Sequence, residues 1–158
     1  MKDEIITLIA GASPIFELRG AIPLAVTQFG MPIYKALILG ILGNMVIVIP
    51  LFVFLKFFSD FLQRQWQPFD KLMNWLYSRF QQNHRSHFDN WKWDFVALTI
   101  FVAVPLPFTG AWSGVIAAHI LGLSLKKTAS AIFLGIFISG LIVSGVLYIG
   151  IAGINFIF

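Results

Sequence analysis

TASAIFLGIFISGLIVSGVLYIGIAGINFIF, residues 128–158, contains no charged side chain. At about 1.5 Å per helical residue, this run crosses a ~30 Å hydrocarbon core with residues to spare. A second uncharged run, Ala36 to Leu55, has the length of one span. The rest of the chain has a similar character: 58% of its 158 residues are hydrophobic and 11% are charged. A soluble domain carries about 25% charged residues. In water such a chain would expose large apolar patches, whereas lipid as solvent removes that difficulty. The composition therefore predicts an all-α integral membrane protein. Lys2 is followed at once by Asp3 and Glu4, and no small-x-small site follows a compact apolar core, so a cleaved signal peptide is not expected. There is no cysteine, and hence no disulfide. We read the net charge of +4 as membrane orientation, with no nucleic-acid partner.

Two stretches match at a nearly constant offset. Gly20-Ala21 corresponds to Gly110-Ala111, and two residues of slippage later Gly30 corresponds to Gly122, Lys35 to Lys127 and Gly43 to Gly135. Each copy reads as a proline-broken apolar segment, a short turn with Gly, a Lys, and a long apolar helix. The first copy covers 1–58, with a broken segment at about 5–29 and a transmembrane helix at about 33–57. The second covers 94–158, with a broken segment at about 95–121 and a helix at about 126–152. Pro14, Gly20 and Pro23 shape the first break; Pro105, Pro107, Gly110 and Gly114 shape the second.

The broken segments fit kinked spans or re-entrant hairpins, and two features favour hairpins. The breaks fall mid-segment, where a spanning helix would leave backbone groups unsatisfied in lipid. They also carry helix-start chemistry: Ser13-Pro14 and Thr109-Gly110 both read as caps opening a second half-helix. Between the copies, residues 59–93 are polar and amphipathic, with Leu72, Leu76 and Phe80 at helical spacing and Trp66, Trp75, Trp91 and Trp93 suited to an interfacial belt. Arg64, Lys71, Arg79, Arg85 and Lys92 put this segment on the cytoplasmic side. With one crossing between them, the copies form an inverted repeat, a plan common among secondary transporters.

Glu17 and Arg19 lie about a dozen residues into the first apolar segment, where ionisable groups are expensive and mark an ion or substrate path; the bland alternative is a buried charge pair that locks the hairpin tip. Two residues apart on a helix, they point to different faces, so each is expected to find another partner. Arg19 has the planar fork that holds an anion, and a desolvated Glu17 can carry a proton. Thr109, Ser113 and the free amides of a half-helix start form a second anion-holding group; the bland alternative is ordinary capping. Asn44 and His119 complete the candidate substrate- or proton-binding set, although a lone His or Asn more often serves packing. His84, His87 and Asp89 have a metal-like spacing but no fourth ligand nearby, so no metal is expected. Ser113 and His119 are six residues apart and off-face, which argues against a nucleophile–base pair. No nucleotide-binding motif is present, and neither a cofactor nor enzymatic activity is expected.

At Glu17-Leu18-Arg19-Gly20-Ala21-Ile22-Pro23 and Pro105-Leu106-Pro107-Phe108-Thr109-Gly110-Ala111-Trp112-Ser113-Gly114 the sequence resembles the small multidrug export protein family, over nearly the whole chain. That family is similar, distantly, to the DedA/VTT membrane proteins, which have paired re-entrant hairpins. Some of those are implicated in polyprenyl-phosphate lipid recycling and in proton-dependent drug or pH tolerance. The charged pair here is in the first hairpin and the second has no arginine, a departure from the DedA pattern. The resemblance implies a transporter or translocase of a small or lipid-linked, anionic or amphiphilic substrate, with proton coupling. The alternatives are a polyprenyl-phosphate flippase of DedA type and a non-transporting membrane scaffold or assembly factor. The expected setting is a bacterial or archaeal cytoplasmic membrane, with the lipid bilayer and the substrate as partners. A homodimer is expected, with Gly40, Gly43, Gly135 and Gly140 allowing close helix approach.

Overall fold

The computed structural model describes residues 1–65, 71, 75, 78, 90–106 and 109–157. Six helices are bounded there: α1 Lys2–Ala12, α2 Glu17–Phe29, α3 Ile33–Gln65, α4 Asn90–Ala103, α5 Ala111–Ile120 and α6 Leu125–Ile157. No strand occurs among the described residues. Most of the 59–93 segment expected to be amphipathic lies outside them, as do His84, His87, Asp89 and Pro107. Within α3 and α6, the stretches Ile33–Phe61 and Leu125–Gly153 have mean hydropathies of 2.6 and 2.4. Each is 29 residues long, which at about 1.5 Å per residue exceeds the ~30 Å core of a bilayer. The four other helices are 10 to 14 residues long, too short to cross alone.

The local boundaries follow from residue chemistry. Asp3 and Glu4 occupy the first turn of α1, where a helix favours negative charge. That helix stops at Ser13, in the extended conformation that a following proline imposes. Gly30 closes α2 at φ 60°, and Gly122 turns the chain from α5 into α6 at φ 68°. These left-handed positions are open to glycine without strain, and they fall at corresponding points of the two halves. Gly20 and Pro23, expected to break the first segment, instead lie inside α2. The break is four residues earlier, at 13–16, because Pro23 deprives only the Arg19 carbonyl of a helical partner and α2 tolerates that single loss. Likewise Ser13-Pro14 does not cap α2: Ser13 ends α1, and Phe16 precedes the first residue of α2.

Contacts fix the directions of the helices. α1 runs along α3: the Glu4 carboxylate pairs with Lys35 near the start of both, and Gly11 packs against Gly40 and Gly43 farther along. The hydrogen bond and charge of Lys35 hold the exposed Glu4 carboxyl below its usual range. α2 returns antiparallel, with Leu18 and Ile22 against Gly40 before the chain turns into α3. The second half is built alike. Lys92 and Phe95 lie beside Lys126 to Ser130, Thr99 and Val102 meet Gly135, and α5 returns with Gly114 against Val102 and Ile132. α3 and α6 are antiparallel, because Gly140 meets Leu37 and Ile41 while Leu125 lies near Phe52 and Asp60. The α1–α2 pair therefore opens at one end of the molecule and the α4–α5 pair at the other. Ile22, Val48, Val102, Val115, Ile132 and Ile136 fill the seam between them.

The four glycines expected to face a second copy are used inside the chain. Gly40 and Gly43 admit α1 and α2, Gly135 admits α4, and Gly140 admits Leu37 and Leu18. Small residues let helix backbones approach where lipid supplies no hydrophobic drive. A Cβ at Gly43 would overlap the Leu8 carbonyl, whereas one at Gly145 would meet open space. Gly43→Ala is expected to cost about 1–3 kcal/mol by overpacking. Gly145→Ala should be neutral or stabilising by up to about 1 kcal/mol, from helix propensity. Thermal unfolding of the two variants in one detergent checks the contrast.

Candidate functional site

The first tip, residues 13–16, joins two helix ends that lie away from the ends of the molecule. Such ends leave amides and carbonyls without helical partners. The Ser13 hydroxyl donates to the Ala10 carbonyl at 2.9 Å and accepts from the Phe16 amide at 3.1 Å. Asn44, fully buried in α3, fits between the two ends. With its amide oriented to suit both, its nitrogen donates to the Gly11 carbonyl at 3.3 Å and its oxygen accepts from the Leu18 amide at 3.2 Å. One side chain thus satisfies the end of α1 and the start of α2. Asn44 is a structural staple of the tip.

The second tip, residues 104–110, closes on itself. The Thr109 hydroxyl donates toward the Val104 and Leu106 carbonyls at 2.6 and 2.8 Å and accepts from the Leu106 amide at 3.1 Å. It therefore serves its own loop. Gly110 caps α5, and the Ser113 hydroxyl accepts from its amide at 3.0 Å.

The two tips meet. The indole nitrogen of Trp112 donates to the Ala12 carbonyl at 3.0 Å, binding the start of α5 to the end of α1. The carboxylate of Glu17 lies directly over Gly110, where any Cβ would overlap it. Its Oε1 accepts from the Trp112 amide at 3.4 Å. An anion at a helix N-terminus is favoured by the free amides and the helix dipole. Glu17 Oε2 also accepts from Arg19 Nη2 at 2.5 Å, and the two side chains are 5% and 18% exposed. This corrects the expectation that the two could not pair. Glu17 has φ 47°, and among the described residues no other non-glycine has a positive φ. That backbone turn takes its side chain off the helical track on which i and i+2 diverge. A left-handed conformation costs an L-residue roughly 1–2 kcal/mol, here offset by contacts to Arg19 and to α5.

Beside this junction lies an open depression of about 810 Å³. Pro14, Phe16, Glu17, Arg19, Pro105, Trp112 and Ser113 are among its lining residues. A smaller one, about 320 Å³, adjoins Arg19 on another side and is walled by Pro23, Pro105 and residues 142–147 of α6. Among the described residues Glu17 is the hydrogen-bonding partner of the Arg19 guanidinium, which has five N–H donors. Its donor capacity is thus largely unspent beside both depressions.

The expected site residues divide into three groups. Glu17, Arg19 and Ser113 line one depression; Asn44 and Thr109 satisfy backbone at the two tips. His119 lies at the far end of α5, where its Nε2 is 2.7 Å from the Ser59 hydroxyl and its ring meets Phe52 edge-on. Hence His119 does not join Glu17. Trp112 was not among the expected site residues, yet both its nitrogens bond to the other tip. Its place in the first turn after a predicted cap was the available signal. Pro14 lies in the first break and Pro105 in the second, whereas Gly20 packs on the Phe16 ring and Gly114 on Val102.

Residues 17–142 match the family described as "Putative small multi-drug export protein". The chain belongs to this family. The match begins at Glu17, just after the first tip, and includes α2, the second tip and the first half of α6. Export and two long apolar helices make it a membrane protein, and the family description is that of a transporter and not of an enzyme. Searches of curated proteins and of solved structures gave no match.

The contact between Glu17 and Gly110 makes their substitutions interdependent. Gly110→Ala is expected to cost about 1–3 kcal/mol by forcing the carboxylate away. In a Glu17→Ala background the same change should cost much less, since the obstructing group is gone. A double-mutant cycle read by thermal unfolding gives the coupling, and strictly additive effects would refute the contact.

Proposed function

We propose that this protein is a proton-coupled exporter of small anionic or amphiphilic molecules, with the Glu17–Arg19 pair at the junction of the two tips as its central element. One observation carries the reading: a buried carboxylate binds both a guanidinium and the start of α5, beside a depression large enough for a small molecule. Ionisable groups at such depth are expensive and serve ion or substrate paths. Family membership supports export as the direction.

In this reading Glu17 acts as an internal counter-anion. While ionised, it neutralises Arg19 and occupies the anion-favouring start of α5. A proton added to its carboxylate removes the negative charge that binds both, freeing Arg19 to engage an anionic group of the substrate through paired N–H bonds. Ser113 lines the same depression and is available to the substrate. Loss of the proton restores the internal pair and displaces the substrate. Proton and substrate are thus coupled through competition for one cation.

We further read α1–α2 and α4–α5 as re-entrant hairpins and the two halves as an inverted repeat. The opposite opening of the two pairs, the meeting of their tips and the paired left-handed glycines support this. Either hairpin could then expose the junction to its own side of the membrane. The segment around 59–93 belongs to the cytoplasmic side in this scheme, from its lysines and arginines. A second copy is proposed to cover the tip, where Ile15 and Phe16 are exposed beside the charged depression. A monomeric mass in lipid nanodiscs would overturn that part.

Glu17→Gln keeps the shape of the side chain and removes its charge. In liposomes, uptake of a radiolabelled aromatic carboxylate driven by a pH gradient should fall to the level of empty vesicles, with protein folding intact by gel filtration. Undiminished uptake would sink the proton role. The orientation has its own test in a chain that lacks cysteine. Single cysteines at Ile15 and Leu106 should label with membrane-impermeant reagents from opposite sides.

A further inference from the structure

Away from the tips, the open end of the α4–α5 pair has a crevice of about 570 Å³ between the first turns of α4 and α6. Lys92, Phe95 and Val96 line it from α4, and Lys126, Lys127 and Ser130 from α6. Three lysines from two helices line it, and none of its described lining residues is a carboxylate. Asp94 is two residues from both Lys92 and Val96, so it points to another face of α4. Below the lysines the walls are apolar. At helical spacing, the lining stripe continues through Ile100 on α4 and through Phe133 and Phe137 on α6. All three are exposed, and the two phenylalanine rings stack at 6.5 Å.

A cationic mouth over a long apolar seam matches a molecule with an anionic head and a hydrocarbon tail. The mouth is near the N-terminal ends of α4 and α6, and α6 is long and apolar enough to run from one membrane surface to the other. We propose that this crevice is a binding site for an anionic glycerophospholipid of the surrounding leaflet. Its phosphate is held by Lys92 and Lys126, and one acyl chain lies along Val96 and Ile100. Basic pockets between transmembrane helices bind lipid head groups by this combination of charge and depth. A free phosphate would use the lysines but gain nothing from the apolar seam. The site is separate from the Glu17–Arg19 junction and does not depend on the transport reading. Its role is to fix α4 against α6 and thereby hold the base of the second hairpin.

The test uses the full chain in detergent supplemented with phosphatidylglycerol, phosphatidylcholine or inorganic phosphate, with bound lipid read by native mass spectrometry and stability by thermal unfolding. Phosphatidylglycerol should be retained and should raise the unfolding temperature, while phosphatidylcholine and inorganic phosphate should do neither. Lys92→Gln and Lys126→Gln should each weaken retention by about fivefold, the worth of one lysine near a charged surface. Lys92→Arg should restore it. Lys56→Gln, in a separate depression lined by Phe57 and His119, should leave retention unchanged. Equal retention of the two lipids, an equal stabilisation by inorganic phosphate, or equal weakening by Lys56→Gln would each overturn the proposal. If a Gln variant fails to fold, the comparison among the three ligands on the natural chain decides alone.

Discussion

The short helices of this protein end at two tips that pack against each other, and every helix end brings amides and carbonyls that need partners. In hydrocarbon each unsatisfied group costs several kcal/mol. Several polar side chains at the two tips meet this demand. Asn44 spans the end of α1 and the start of α2, Thr109 and Ser113 close the second tip, and Trp112 reaches across to α1. Glu17 supplies the carboxylate at the start of α5. The tips are therefore held to each other by groups that a soluble protein would leave to solvent.

This demand converges on one charged residue, Glu17. A buried ion pair contributes little net stability compared with apolar packing, but removal of one partner leaves an uncompensated charge. Glu17 adds a left-handed backbone to that account. Strained conformations persist only where surrounding contacts over-determine them, and they gather at functional positions. Among the contacts that hold Glu17, those to Arg19 and to the start of α5 draw on its negative charge, and its backbone amide also donates to the Ser13 carbonyl.

Packing between the helices has a different origin. Gly11, Gly40 and Gly43 let α1 rest on α3 backbone to backbone, and Gly135 does the same for α4 on α6. Glycine costs helix propensity in exchange for close approach. Because these glycines are consumed within the chain, the outer faces of α3 and α6 are left with larger residues, among them Val46, Ile49, Phe54, Leu141 and Val146. Those faces meet lipid or another copy without Gly40, Gly43, Gly135 and Gly140, the glycines expected to make such a contact.

The amino-acid sequence alone determined the two long helices, the presence of two breaks, the matched glycines at 30 and 122, and the family. These features depend on runs of apolar residues, on proline and on left-handed turns, all of which act over a few neighbouring residues. It marked the first break at Pro14 but extended it to Gly20 and Pro23, which lie inside α2, because a single lost hydrogen bond does not end a helix that packs well. It also kept Glu17 and Arg19 apart, because regular helical geometry was assumed where the backbone reverses at Glu17. Only the tertiary structure decided the partners: Asn44 with Gly11 and Leu18, Glu17 with Arg19 and α5, His119 with Ser59. The physical reason is range. A hydrogen bond or buried ion pair needs its partner within about 3 Å, and residues 17 and 112 reach that distance only after both helical pairs have packed against the long helices.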